Sequence, residues 1–162
     1  MTTSWAAVEG AGLPPGGQRR RLRLAGLDRP VARARTLAAT ALADWYGLAA
    51  DPRGGPGIAG DVVLLVAELV SNATLHGDGP VELVLDATED RLRIEISDRS
   101  DAVPAPRQPH HPALPGGHGL HIVQHTADRW GTEPLAGGLD GAFDGGKVVW
   151  AEVAAHRLHA GD

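Results

Sequence analysis

Two alternating segments joined by a short turn constrain this chain more than anything else in its sequence. Val81, Leu83 and Leu85 alternate with Glu82 and Asp86, and Leu92, Ile94 and Ile96 alternate with Arg93, Glu95 and Ser97. A period of two puts the aliphatic side chains on one face of each strand and the charged ones on the other. With Thr88-Glu89-Asp90 between them, the segments predict a β-hairpin with one buried face. Helices must cover that face. Asp98 has the parity of Leu92, Ile94 and Ile96, so a strand reaching that far turns a carboxylate toward the covered side.

The cover comes from segments of helical period. Val31, Ala34, Ala38, Ala41, Leu42 and Trp45 recur at helical spacing after Asp28, a candidate cap, and Pro30, tolerated in a first turn. The glycine- and proline-rich stretch 51–57 stops this helix. A second helix is expected to start near Gly60-Asp61, to carry Val62, Leu65, Val66, Leu69 and Ala73 inward, and to end at His76-Gly77. Gly116-Gly117-His118-Gly119 opens a third, with Leu120, Val123 and Ala127. Further strands are expected from Arg20 to Leu24 at a sheet edge, after Asp128-Arg129-Trp130-Gly131, and from Lys147 to Val153, where Val149, Ala151 and Val153 share a face. Residues 99–116 hold five prolines and read as a lid or a disordered segment. Residues 137–146 read as a turn. One domain over 19–156 is expected, between tails at 1–18 and 157–162.

Composition narrows the function classes. The chain has 162 residues, 43% of them apolar, enough for one packed core. There is no cysteine, so disulfides, thiolate-held zinc and a cysteine nucleophile are excluded. A formal charge of 15 − 20 = −5 disfavours direct nucleic-acid binding. No apolar run is expected to form a membrane span, and the first 18 residues do not resemble a signal peptide. A cytoplasmic location is the expectation. The basic run Arg19-Arg20-Arg21 with Arg23 reads either as a solvated strand edge or as a docking patch for an acidic partner.

Four places carry candidate chemistry. Glu68 and Asn72 stand four apart on the second helix, one turn above each other and off the apolar stripe. A carboxylate there can take a proton, and an amide oxygen suits Mg²⁺. The same spacing also describes a helix's ordinary polar edge. Asp98 directed inward needs a partner, either an exocyclic amine such as that of adenine or a loop cap or arginine. Gly117 to Gly119 at a helix start can turn backbone N–H groups toward phosphate. His110, His111, His118, His121 and His125 fall in one stretch, and read either as zinc ligands or as surface histidines. Lys147 reads as a solvated lysine entering a strand, and Trp150 as packing.

In order along the chain, these elements resemble the ATP site of the GHKL superfamily, the Bergerat fold. Glu68-Leu69-Val70-Ser71-Asn72-Ala73-Thr74-Leu75-His76-Gly77 resembles the N box of the anti-sigma-factor serine kinases. Asp98-Arg99-Ser100, with Pro104 beyond, is similar to the first glycine box of the actinobacterial branch, although Ser100-Asp101-Ala102 stands where glycine is usual. Gly117-His118-Gly119-Leu120-His121-Ile122-Val123 resembles the second glycine box. Trp130-Gly131 and Gly146-Lys147-Val148-Val149-Trp150-Ala151-Glu152 also look like that branch. The resemblance implies an α/β (α+β) two-layer sandwich, with a mixed, mainly antiparallel sheet and helices on one face. It implies ATP and Mg²⁺ as cofactors, Glu68 as catalytic base and Asn72 as the Mg²⁺ ligand. His76, Asp98, Ser100, Gly117, His118, Gly119 and Leu120 would complete the nucleotide site. The implied function is phosphorylation of a serine on an anti-sigma antagonist, with sequestration of a sigma factor by a homodimer. The alternative is an ATP-sensing, protein-binding module without kinase activity.

Overall fold

The computed structural model describes residues 12–76, 78–100, 117–135 and 146–159, with only the backbone of residues 76 and 117–120. The expected hairpin is present as β2 (Pro80–Ala87) and β3 (Arg91–Asp98). Leu83 faces Ile96, Leu85 faces Ile94 and Ala87 faces Leu92 across it. Thr88 closes the turn: its N–H donates to the Arg91 carbonyl at 2.9 Å, and its hydroxyl accepts from the Asp90 and Arg91 N–H groups.

Three more strands extend the sheet. β1 (Gln18–Arg23) pairs with β2, while β5 (Lys147–Ala154) pairs with β3 and carries β4 (Arg129–Pro134) on its far side. The order is β1-β2-β3-β5-β4, and all four pairings are antiparallel. The helices are α1 (Pro30–Tyr46), α2 (Gly57–His76), α3 (Gly117–Thr126) and the short α4 (Ala155–His159). Leu83, Leu85, Leu92, Ile94, Ile96, Ala151 and Val153 from the sheet join Ala38, Leu42, Trp45, Val62, Leu65, Val66 and Leu69 from the helices in one core. The result is the two-layer α+β architecture that the resemblance implies, with every described pairing antiparallel where a mixed, mainly antiparallel sheet is expected.

α2 is the hub, packing on α1, α3, β2 and β3. That explains why its buried arc, which also takes in Val63, Ala67 and Val70, is wider than the stripe visible in the sequence. It begins at Gly57, a turn earlier than expected. Gly57–Leu75 is also long and apolar enough to span a membrane, contrary to the sequence expectation, but 56% of it is buried inside the domain, as suits a core helix. The cap of α1 differs as well. Arg29 occupies the N-cap in the left-handed region (φ 52°) with no side-chain cap bond, so Asp28 does not cap, and Pro30 alone sets the first turn.

Both ends of the described chain are tied down. The Gly12 N–H donates to the Asp44 carbonyl at 2.7 Å, and Leu13 lies on the core. Residues 157–159, expected in a tail, belong to α4. Leu158 is fully buried, and Arg157 donates to the Thr126 carbonyl at 2.6 Å and to Asp128 at 3.1 Å.

The outer face of the sheet is a lattice of ion pairs. Arg93 reaches Glu95 (2.8 Å), Glu152 (3.0 Å) and Glu133 (3.4 Å), and its guanidinium lies 4.4 Å from the Trp150 ring centroid. Gly131 makes room for that indole, since a Cβ there would sit 3.0 Å from Trp150 Cζ2. The basic run is absorbed in the same manner. Arg19 pairs with Asp86 (3.3 Å), Arg21 with Glu82 (3.1 Å), and Arg20 with Asp44 (2.7 Å) while stacking on Trp45 at 4.8 Å. Arg19, Arg20 and Arg21 thus have acidic partners in their own domain, which favours the strand-edge reading.

Candidate functional site

The candidate residues lie on the C-terminal half of α2, the end of β3 and the start of α3, and α2 packs on both β3 and α3. α2 places Glu68 and Asn72 one turn apart, each half-buried. Glu68 makes no hydrogen bond or ion pair among the described residues, so its carboxylate is free to meet a ligand. Asn72 is more unusual. Its Oδ1 is buried and finds no donor among the described residues. A buried amide oxygen without a partner costs on the order of 1–3 kcal/mol, and such atoms are rare in folded proteins. A neutral oxygen lacking a donor fits a hard cation such as Mg²⁺, which takes few protein ligands and completes its shell with phosphate and water.

β3 delivers Asp98 to the inner face, as its parity requires, and it is only 1% exposed. Its Oδ1 accepts from the Ser100 N–H at 2.9 Å and from Lys147 Nζ at 3.0 Å. Burial pushes the Asp98 carboxyl above the ordinary carboxylate range. The Lys147 ammonium and the Ser100 N–H offset this in part, while Asp78 adds to the rise. Lys147 is buried too, which corrects the expectation of a solvated lysine. The signal was legible, because residue 147 has the parity of Val149, Ala151 and Val153, the inward face of β5. Trp150 has the opposite parity and lies on the outer face, as packing.

α3 begins at Gly117 and packs on α2, so the Gly117-His118-Gly119-Leu120 segment forms its first turn beside the N-box helix. The first N–H groups of a helix have no partner within it and favour an anion. Ser100 is buried beside Asp98, with its N–H engaged as described. The side chains of His76, Gly117, His118, Gly119 and Leu120, the remainder of the lid from 101, Pro104, and the histidines at 110 and 111 lie outside the described residues. His121 and His125 are exposed on α3. Among the described residues no group of three His, Asp or Glu side chains is placed to hold a metal ion.

An α+β layer with a donorless amide oxygen on a helix, an inward carboxylate at a strand end and a helix N-terminus suits a nucleotide-binding class of domain. Comparison with known proteins gives the family. Residues 25–135, more than half of the chain, match the histidine kinase-like ATPase domain, and the chain belongs to that family. This is the GHKL-type, ATP-binding superfamily. The matched span runs from the entry to α1 through α2, β2, β3, α3 and β4, while β1 and β5, with Lys147, lie outside it. No curated protein matches the chain.

Proposed function

We propose that this protein binds Mg·ATP between α2, the end of β3 and the first turn of α3, and uses it as an anti-sigma-type protein serine kinase. The observation that carries the ATP half is the buried, donorless Oδ1 of Asn72, one helical turn from the carboxylate of Glu68. Asn72 would hold Mg²⁺, which when bound supplies charge neutralisation for the triphosphate. Asp98 accepts the exocyclic amine of adenine, and the first turn of α3, with Gly117, His118 and Gly119, lines the phosphates. His76 and Leu120 complete the site as the family resemblance implies, beside Ser100.

Phosphoryl transfer depends mostly on positioning and charge neutralisation. The serine hydroxyl oxygen of the protein substrate attacks the γ-phosphorus. The bond from that phosphorus to the β–γ bridging oxygen breaks, ADP leaves, and Glu68 takes the hydroxyl proton. The resemblance of the N box to the serine kinases supports a protein antagonist as substrate, a sigma factor as the sequestered partner, a homodimer as the working form and the cytoplasm as its place. The domain's negative charge and the internal pairing of the basic run support protein partners over nucleic acid.

Calorimetric titration with ATP, with and without Mg²⁺, tests the first half. Wild type is expected to bind, and Asn72→Ala to lose the Mg²⁺ dependence. Absence of binding at millimolar ATP would refute the site. The second half is tested by following phosphate from labelled ATP onto a cognate antagonist. If the protein binds Mg·ATP and transfers nothing, it is an ATP-sensing module in which nucleotide only shifts partner affinity.

A further inference from the structure

The sequence contains a single lysine, Lys147, and the fold buries it. An ammonium is strongly hydrated, and its burial is tolerated only against a well-placed counter-charge. That counter-charge is Asp98, with Nζ 3.0 Å from Oδ1 and the two side chains 7% and 1% exposed. The backbone builds the pair. Lys147 and Asp98 stand directly opposite each other in the β3–β5 ladder, so both side chains leave the sheet on the inner face. Gly146, at φ 98°, lets β5 start hard against β3. A Cβ there would lie 2.7 Å from the Asp98 carbonyl oxygen, closer than any side chain can be accommodated.

The two carboxylate oxygens are used unequally. Oδ1 takes both the Ser100 N–H and the Lys147 ammonium, while among the described residues no donor meets Oδ2. One oxygen is anchored and the other is left for a ligand. A buried ion pair is a poor source of stability compared with apolar residues of the same volume, so the arrangement calls for a use other than holding the fold together. The ion pairs of the outer face give no parallel, since they involve partly exposed side chains on the side away from the site.

We propose that Lys147 is a positioning residue for nucleobase recognition: by anchoring Oδ1 of Asp98, it presents Oδ2 as an ionised acceptor to a purine 6-amino group. The inference rests on the nucleotide site proposed above. Among the described residues, the charged groups acting on Asp98 are Lys147 from β5 and Asp78 from the turn between α2 and β2. Without Lys147, burial and Asp78 push the carboxyl further up. A protonated Asp98 then offers a donor as well as an acceptor, and a 6-oxo base is no longer disfavoured. Acidification has the same direction of effect. Amine recognition needs the ionised form, so affinity falls as pH falls through the Asp98 value, and that fall begins at higher pH when Lys147 is absent.

The test compares ATP with ITP, which replaces the 6-amino group by an oxo group, on the full chain with Mg²⁺ present and on both sides of neutral pH. Wild type is expected to prefer ATP by about ten-fold or more, the size of one charge-assisted hydrogen bond. Lys147→Met is expected to lose most of that preference and to show ATP affinity that weakens on acidification, with Lys147→Arg recovering part of both. A Lys147→Met protein with the wild-type preference and pH profile overturns the inference and leaves the nucleotide site standing. A wild type that binds neither nucleotide overturns both. If Lys147→Met does not fold, the wild-type protein labelled with ¹⁵N-lysine serves instead, since its one Nζ resonance belongs to Lys147. The inference requires that resonance to shift with ATP and differently with ITP; no shift with ATP at saturation refutes it.

Discussion

Replacing Asn72 by alanine is expected to stabilise the protein without nucleotide and to weaken it, relative to wild type, with nucleotide. Oδ1 of Asn72 is buried and has no donor among the described residues. Its desolvation costs on the order of 1–3 kcal/mol, which alanine removes. Alanine also suits a helix interior better than asparagine by about 0.6 kcal/mol. Against these gains stands the packing of a half-buried side chain, about 1 kcal/mol of area removed from contact. With about 1.5 kcal/mol for the desolvation, the net is about 1 kcal/mol in favour of the variant, or roughly 2–4 °C in Tm for a chain of this length. With Mg·ATP at a hundred times its Kd, wild type gains about 2.7 kcal/mol. A variant without the cation ligand loses most of that gain, so the order of stability inverts. Urea denaturation of both proteins, with and without Mg·ATP, reads all four values. Lower stability of Asn72→Ala in the absence of nucleotide would show that Oδ1 is satisfied in the free protein, and the case for a waiting cation ligand would collapse.

Other expectations follow from the same structure. Glu68→Gln should keep Mg·ATP binding within about two-fold while phosphoryl transfer to an antagonist falls by about 10²–10⁴, as loss of a general base predicts; single-turnover assays with labelled ATP decide it. Tyr46 is buried by its own packing, which pushes the phenol up to about 12, and its hydroxyl has no partner among the described residues. Its folded value lies above the unfolded one, so stability is intact below about pH 10 and falls as pH rises toward about 12. Each pH unit costs at most about 1.4 kcal/mol, less what partial solvent access screens. Tyr46→Phe should flatten this alkaline limb of the denaturation profile and cost nothing at neutrality. Leu158→Ala should lower stability by about 2–5 kcal/mol, because α4 closes the core with a fully buried leucine; a loss under about 0.5 kcal/mol in chemical denaturation would return residues 157–159 to a tail.

The hairpin, the three main helices and the inward Asp98 were legible because each follows from a period. Alternation over 81–96 fixes which face is buried, and the same parity carried to residue 98 turns the carboxylate inward. Glu68 and Asn72, the pair on which the proposed site rests, stand out in the sequence as a motif, but the donorless Oδ1 does not, since satisfaction of a polar atom depends on neighbours distant in sequence. Lys147 was misread for a different reason. Its parity with Val149, Ala151 and Val153 points inward, but a lysine entering a strand suggests solvation, and the counter-charge that permits its burial is set only by the β3–β5 register that brings it opposite Asp98. The cap of α1 failed because Asp28 is a good capping residue by type, whereas Arg29 in the left-handed region takes the position. The buried Leu158 lies in too short a segment for any period to announce.

A buried polar atom without a partner does not by itself mark a functional site, and this protein contains the comparison that shows why. Both the Tyr46 hydroxyl and Asn72 Oδ1 are orphaned among the described residues. Tyr46 ends α1, with its ring edge against His159 at 5.3 Å. It packs against the core, with Arg91 near enough to act on it and an exposed histidine at its ring, and its unmet hydroxyl reads as the cost of packing a large ring. Asn72 has the carboxylate of Glu68 one turn away on a helix that packs against α3 and β3, and β3 ends in an inward Asp98 whose Oδ1 is already anchored. On the function proposed above, these three would act as cation ligand, base and acceptor beside a helix end that favours phosphate. Local rules of polar satisfaction are broken together where a ligand completes them, and singly where packing alone is responsible.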